Sequence, residues 1–399
     1  MAVTVRLFCT QRQALADVPA SGPVNVYVCG ITPYDSTHLG HVATFLTYDL
    51  LARRLSDQGR NVMVVRNITD VDDPILGRVQ QLGADYWTLV ESEIAQFSAD
   101  MRALNALPAM AEPRVSHALP EVVAAIEELV RNGFAYTLED VVYFDVSRAP
   151  EFGQISCYSM DHMLHLARER GGDPDRPGKR NRLDFILWQP SRPGEPEYES
   201  PFGAGRPGWH IGCSVMSREA FGTRVDVHGG GTDLIFPHHE CEQAQNDCLE
   251  GGTSVGLWVH TGPVAYHGEK MSKSLGNIVL ARDLLKAADP RAIRLAVLSR
   301  YHHRHGCEWR DEDLYGGVEL LTKLLLAVQR RTGPDPRPFA EAVRARLDDD
   351  LDAPGALRQI ERLTDATLAD GGSSPDTAAG LVELTGLLGV LLDGPAAPA

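Results

Sequence analysis

Residues 24–51, VNVYVCGITPYDSTHLGHVATFLTYDLL, decide the fold. Val24, Val26 and Val28 alternate with Asn25 and Tyr27, the period-two pattern of a strand. Gly30, Pro33 and Asp35 then mark a turn. From His38 the period changes. Val42, Phe45, Leu46, Leu50 and Leu51 recur at three- and four-residue spacing, which predicts a helix. A strand that turns directly into a helix N-terminus is where parallel α/β sheets bind phosphates. No glycine-rich phosphate loop is present in this stretch. It carries instead His38 and His41 at the helix start and Cys29 at the C-terminal end of the strand.

The flanking sequence extends the same unit. Residues 61–67 (NVMVVRN) predict a second strand, followed by the polar loop ITDVDD, so 23–74 form one βαβ unit of a parallel sheet. Residues 1–22 give only a lead-in of turns. Helical patterns cover 86–104 and 119–132, and a strand pair falls near 141–144. Glycine, proline and charge at 169–181 predict a surface loop. The sheet resumes at 224–227 (RVDV), with a helix beginning near His238 and a strand at 255–260 (VGLWVH). Helices at 281–287 and 292–298 follow, and 311–392 is amphipathic throughout, the pattern of a helical bundle. The expected division is a split α/β catalytic domain (1–74 and 206–305), an insertion (75–205), a C-terminal bundle (306–392) and a disordered tail (393–399).

Composition narrows the functional classes. The 399 residues are 43% apolar and 23% charged, as in an ordinary globular protein. The net charge of -16 argues against a broad nucleic-acid-binding face. Seven scattered cysteines do not form a disulfide framework, and no apolar run is long enough to span a bilayer. The expectation is a cytoplasmic monomer with no membrane contact.

Three groups of residues carry chemistry. Two imidazoles at i and i+3, His38 and His41, share one helix face where an anion is favoured, although such a pair can also be purely structural. Lys270 and Lys273 in KMSKS suit a polyphosphate clamp, or else a solvated loop. Cys29, Cys213, His238, His239 and Glu242 are of the types that ligate zinc. Cys9, Cys157, Cys241, Cys248 and Cys307 are expected to be small buried hydrophobes. Asp70, Asp72 and Asp73 suit either helix capping or contact with a substrate ammonium or hydroxyl. No residue stands out as a general base.

HLGH after the first strand, then KMSKS late in a split α/β sheet, resembles the class I aminoacyl-tRNA synthetases. CGITPYDSTHLGH, RNITDVDD, GAGRPGWHIGCS, HGGGTDLIFPHHE and KMSKSLGN look like the cysteinyl branch of that class, over roughly residues 5–390. The resemblance implies a Rossmann-like parallel sheet split by an insertion, then an all-α bundle. It implies ATP with Mg2+ and L-cysteine as substrates, and a cysteinyl adenylate. His38, His41, Lys270 and Lys273 would be catalytic. Cys29, Cys213 and His238, with Glu242 as a fourth ligand, would hold Zn2+ against the substrate thiolate, with His239 behind. Zinc prefers sulfur to hydroxyl, which separates cysteine from serine. The adenylate pocket would comprise Cys29, Gly30, Ile31, Thr32, Thr44, Asn67, Ile68, Thr69, Trp209, Gly231, Thr232, Asp233 and Val264, with His228 and the glycines after it shaping the turn.

The branch offers two kinds of acceptor. Val42-Ala43-Thr44 after the histidines, the loop Glu169–Lys179 and the end of the chain after one bundle resemble the mycothiol-pathway ligases. Those join cysteine to the amine of glucosaminyl-inositol, and need no nucleic acid. Glu242 and LSRYHHRHGCEW resemble the cysteinyl-tRNA synthetases instead. A compact synthetase acting on tRNA, or a paralogue acting on another small amine, are the alternatives. The loop 169–179 is either a plain surface loop or a cover for the acceptor.

Overall fold

The computed structural model describes residues 4–249, 251–252, 254–271, 275–369 and 371–392. The chain opens on a hairpin, β1 (Arg6–Cys9) and β2 (Ala14–Asp17), where the sequence predicts only turns. Strands of four residues are too short for period two to register. Packing holds the hairpin, since Val5, Leu7 and Cys9 are fully buried.

Strand β3 (Val24–Ile31), helix α1 (Leu39–Asp57) and β4 (Val62–Ile68) form the expected βαβ unit, with β3 and β4 parallel from Val24 opposite Val62. Helices α2 (Asp73–Leu82), α3 (Tyr86–Ala103) and α4 (Leu119–Arg131) follow. Next come β5 (Ala135–Leu138), β6 (Val141–Phe144), α5 (Met160–Glu169), β7 (Phe185–Gln189) and β8 (Arg206–Pro207). These strands make a separate antiparallel sheet, ordered β5-β6-β7-β8. Helix α6 (Trp209–Phe221), β9 (Arg224–Gly231), α7 (Glu240–Cys248) and β10 (Ser254–Thr261) then return to the parallel sheet, ordered β10-β9-β3-β4. Helix α7 begins two residues after His238. Residues 235–239 form an irregular turn, because Phe236 takes extended φ/ψ of -138° and 134°.

Strand β3 pairs in parallel with β4 on one side and β9 on the other. From β3 the chain first builds outward to β4, then returns to build outward through β9. The C-terminal ends of β3 and β9 therefore flank a crevice at a topological switch point, the place where such sheets bind ligands. On the other side the ends of β3 and β4 approach closely: a Cβ on Gly30 would overlap the Asn67 carbonyl oxygen.

After β10 come β11 (Val264–Tyr266), β12 (Glu269–Lys270), α8 (Ala281–Ala287), α9 (Pro290–Arg300) and β13 (Cys307–Trp309). Helices α10 (Asp311–Ala327), α11 (Arg337–Asp348), α12 (Ala353–Leu368) and α13 (Thr377–Leu387) close the described chain. They bury their own apolar cluster, which includes Leu324, Leu347, Leu357 and Leu384 and also takes in Leu295 and Leu298 of α9. Residues 393–399 lie outside the described residues.

A buried cation ties these parts together. Arg294 of α9 donates to the Asp49 carboxylate of α1, to the Leu104 carbonyl at 3.0 Å and to the Leu388 carbonyl at 2.6 Å. Asp49 also accepts from Arg53 Nε at 2.9 Å and from the Leu107 N–H at 2.7 Å. Burial works against the Asp49 carboxylate, yet Arg294 and Arg53 hold its pKa below the usual range. A lowered carboxylate pKa stabilises the fold above the unfolded value, and that contribution is lost as the pH falls through the folded value. Replacing Arg294→Met leaves the buried carboxylate with Arg53 as its only cation among the described residues and should cost up to about 3–5 kcal/mol in urea unfolding at neutral pH. The gap to wild type should narrow as the pH falls below the usual carboxylate range. A gap that does not depend on pH would mean the loss is one of packing.

Candidate active site and metal-binding cluster

Four elements bring one group of donors to the crevice. Cys29 comes from β3, Cys213 from α6, His238 from the irregular turn and Glu242 from the first turn of α7. All four are buried. Cys29 Sγ lies 3.3 Å from Glu242 Oε1, and His238 Nε2 lies 3.1 Å from the same oxygen. The donor atoms of Cys29, Cys213, His238 and Glu242 all fall within 4.8 Å of one another. A second, overlapping group is Cys29, His228, His239 and Glu242. Glu242 Oε2 and His239 Nε2 are buried there without a hydrogen-bond partner. Burying a carboxylate beside two thiols is costly unless a cation compensates it. Thiolate, imidazole and carboxylate at this spacing fit a zinc ion.

The electrostatics agree. The Cys213 pKa falls to about 6, chiefly through its hydrogen bond with Cys29 and then through His238. The Cys29 pKa rises, through burial and through Cys213. Burial opposes the His238 imidazolium, but Glu242 and Cys213 outweigh it and lift its pKa to about 10. Burial also opposes the Glu242 carboxylate, and His228 and His238 outweigh that. The cluster thus favours a thiolate at Cys213 and a carboxylate at Glu242, the forms that bind metal, while Cys29 and His238 would each give up a proton on binding it.

Two histidines matter here that the sequence did not single out as donors. His210 Nδ1 lies 2.9 Å from His238 Nδ1. Burial keeps His210 neutral, so it can accept from His238 and aim the Nε2 of His238 at the cluster. Its position three residues before Cys213 on α6 was the available signal. His228, expected only to shape the glycine turn, is wholly buried with Nε2 3.7 Å from Cys29 Sγ. His239 is held from behind: its Nδ1 lies 2.7 Å from His260, whose other nitrogen lies 2.6 Å from Thr10 Oγ1.

The histidine pair lies at the start of α1. His38 is the N-cap, and the rings of His38 and His41 stack with centroids 3.8 Å apart. His38 Nδ1 accepts from the Gly40 N–H at 3.1 Å, and His41 Nδ1 faces the His38 N–H at 3.5 Å. In the neutral rings these contacts place the proton on Nε2, so each ring carries an Nε2–H donor at a helix N-terminus. The Leu39 N–H donates to the Val279 carbonyl and the Ala281 N–H to the Thr37 carbonyl, both at 2.9 Å. The segment after KMSKS is therefore bonded to the helix start. Asn277 Nδ2 donates to the Tyr266 carbonyl at 3.0 Å and the Glu269 carbonyl at 3.3 Å, closing the base of that loop. Lys270 Nζ lies 3.8 Å from Asp233 Oδ2. Lys273 lies outside the described residues.

The expected pocket residues divide into two kinds. Gly30 N–H donates to Asn67 Oδ1 at 2.9 Å, Asn67 Nδ2 to Thr69 Oγ1 at 3.0 Å, and Thr69 N–H to the Ile31 carbonyl at 2.9 Å. Gly30 to Thr32 and Asn67 to Thr69 are thus two laced strand ends. Thr44 Oγ1 lies 2.9 Å from Thr261 Oγ1, fixing α1 to β10. Gly231 ends β9, Thr232 and Asp233 follow it, and the Trp209 ring packs 4.6 Å from His238. Ile68 and Val264 are core residues, each 3% exposed. Cys9 and Cys241 are buried as expected, but Cys157 is exposed at φ +55° and Cys248 and Cys307 are half-buried.

A cavity of about 640 Å³ opens between the antiparallel sheet and the crevice. Asp72, Trp209, Asp233 and Lys270 line one side, Tyr143 and Arg176 the other. Residues of the segment 169–181 border this cavity, and Arg170 donates to the Asp233 carbonyl. Asp70 is buried and accepts from the Ser116 N–H at 2.9 Å. Asp72 is the N-cap of α2, and Asp73 pairs with Arg206 at 2.6 Å.

Comparison with known proteins places this geometry. Residues 16–318 match the family described as tRNA synthetases class I (C) catalytic domain. The chain is 46% identical to the L-cysteine:1D-myo-inositol 2-amino-2-deoxy-alpha-D-glucopyranoside ligase of Thermobispora bispora, over 97% of this chain and 96% of that one. It is 48% identical to the protein of the same name from Frankia alni, over 91% and 87%. Among solved structures it resembles Mycobacterium tuberculosis methionyl-tRNA synthetase in complex with methionyl-adenylate, with TM-score 0.66, 15% identity and coverage of 94% and 92%. The Agrobacterium radiobacter K84 LeuRS ternary complex gives TM-score 0.67 at 13% identity, over 94% and 84%. At such identities the two structures speak to the fold alone.

Replacing His210→Ala should weaken metal retention by about 10–100-fold, because His238 loses the partner that orients it. Competition with a chromophoric chelator would measure this. Unchanged retention would remove His210 from that role.

Proposed function

Because this chain belongs to the class I (C) synthetase family, and within it to the cysteine:glucosaminyl-inositol ligases, we propose that it joins L-cysteine to the amine of glucosaminyl-inositol at the expense of ATP. The observation that carries the site assignment is a juxtaposition. A buried cluster of sulfur, nitrogen and carboxylate donors and a stacked histidine pair flank the C-terminal end of one strand, β3.

In the first step the cysteine carboxylate attacks the α-phosphorus of ATP, and the bond to pyrophosphate breaks. The Nε2–H groups of His38 and His41, with the N-terminus of α1, stabilise charge developing on the phosphoryl oxygens. Lys270 and Lys273 hold the departing pyrophosphate, together with Mg2+. A zinc ion held by Cys29, Cys213 and His238, with Glu242 alongside, would supply a Lewis-acidic contact that keeps the substrate sulfur deprotonated and disfavours serine. Trp209 packs over His238 and narrows the space around the substrate side chain. In the second step the acceptor amine attacks the adenylate carbonyl, an amide forms and AMP leaves. The cavity bordered by residues 169–181 is the entry we assign to the acceptor. No described helix is long and apolar enough to cross a membrane. The net charge of -16 is consistent with a small-molecule acceptor.

The deciding experiment is AMP release with ATP, cysteine and glucosaminyl-inositol, set beside the same mixture with bulk tRNA. Turnover with the sugar alone is expected. Turnover with tRNA alone would make the chain a compact synthetase, the reading that the carboxylate at Glu242 favours. Replacing Lys270→Ala should slow single-turnover adenylate formation by about 10²–10³-fold, as for other donors that stabilise transition-state charge. An unchanged rate would remove Lys270 from the clamp.

A further inference from the structure

The activation step leaves one carboxylate in the acceptor cavity unused. An amine attacks the adenylate only when neutral, because an ammonium nitrogen has no lone pair to give. Some group must therefore take a proton at the point where the acceptor meets the cysteinyl carbonyl. Six described carboxylates line the cavity: Asp72, Asp73, Glu169, Asp173, Asp184 and Asp233.

Most are committed or remote. Asp73 pairs with Arg206, and Asp233 faces Lys270. Asp184 accepts from Tyr136 Oη at 2.7 Å and from the N–H groups of Val146 and Asn181. Glu169 pairs with His165 at an exposed helix end, and Asp173 is exposed on the loop. Asp72 differs in place, and it is less tightly held than Asp184, with two donors rather than three. Its hydrogen-bond donors are neutral, the Asp73 N–H at 2.9 Å and Thr32 Oγ1 at 3.4 Å. Thr32 belongs to the laced strand end assigned to the adenylate. Asp72 thus touches the cavity on one side and the activation site on the other.

We propose that Asp72 is the general base of the second step, a catalytic residue that takes a proton from the acceptor ammonium. The proposal rests on the ligase reading above. One N–H proton passes to the Asp72 carboxylate. The freed lone pair forms the C–N bond to the cysteinyl carbonyl carbon. The C–O bond to phosphate breaks, its electron pair leaving with AMP, and the second N–H proton leaves to solvent through the open cavity. Burial and Asp73 raise the Asp72 pKa to about 7, with the Asp73 N–H, Arg206 and His238 acting against them. The other titratable groups whose fields couple to it are Tyr86 on α3, whose oxygen faces the Asp72 N–H at 3.4 Å, and Tyr34 after β3. A carboxylate poised near neutrality is matched to an amine that titrates nearby.

The test uses Asp72→Asn and Asp72→Ser. Both residues cap helices well, so α2 keeps its start while the base is lost. In both variants, amide formation from preformed cysteinyl adenylate at pH 7 should slow by about 10²-fold or more. It should slow at least roughly tenfold more than cysteine-dependent pyrophosphate exchange. The deficit should shrink as the pH rises past the acceptor pKa, where solvent supplies the neutral amine. Amide formation slowed no more than exchange would overturn the assignment, since Asp72 would then only support the Thr32 turn. Wild-type enzyme that exchanges pyrophosphate but consumes no glucosaminyl-inositol would overturn the ligase reading, and this proposal with it.

Discussion

The buried carboxylate of Glu242 is the constraint on which the site depends. It is wholly shielded from water and within 3.3 Å of a thiol and two imidazoles. Such a group is tolerated only with compensating charge and fixed donors around it. That requirement dictates the surrounding packing. His210 buttresses His238, His260 and Thr10 buttress His239, and the Tyr27 and Trp258 rings pack against His228. These supports come from the first hairpin, α6, and strands β3 and β10. The cluster is therefore assembled by most of the parallel sheet at once.

The sheet also explains how residues far apart in the chain come to one edge. Parallel strands put all their C-terminal ends on one edge, and the reversal at β3 opens a crevice there. Cys29 and His38 flank the end of β3, so the donor cluster and the histidine pair are separated by a few residues of chain. Lys270 reaches the same edge beside Asp233, and the segment from Val279 to Ala281 is bonded to the start of α1 through Leu39 and Ala281. Main-chain hydrogen bonds fix this approach, so it does not depend on which side chains occupy the loop.

The antiparallel sheet adds a second wall. Tyr143 of that sheet, with Arg176 and Lys179 of the loop before β7, gives the cavity an aromatic and basic lining to set beside the acidic start of α2. An amine-bearing polyol suits a cavity lined in this way. The crevice of the parallel sheet and the cavity beside the antiparallel sheet thus meet at Asp72 and Trp209.

Much of this was legible in the sequence. Period two and period 3.6 located β3, α1 and β4, because a strand buried on a sheet and a helix buried on one face must show those repeats. Histidine spacing singled out the start of α1, and the family motifs picked out Cys29, Cys213, His238 and Glu242, which the fold brings together. Local signals failed where the determining contact was distant. The β1–β2 hairpin has too few residues for a pattern and is held by packing. Cys157 is exposed because a turn at φ +55° carries it outward. His228 and His210 look like ordinary polar residues until four elements converge on them. The base role we assign to Asp72 has the same origin. By itself the sequence determined which residue types were available and the short-range repeats that fold them. Only the tertiary structure decided which carboxylates meet a cation and which face the cavity with neutral donors, because that depends on what the rest of the chain brings within reach.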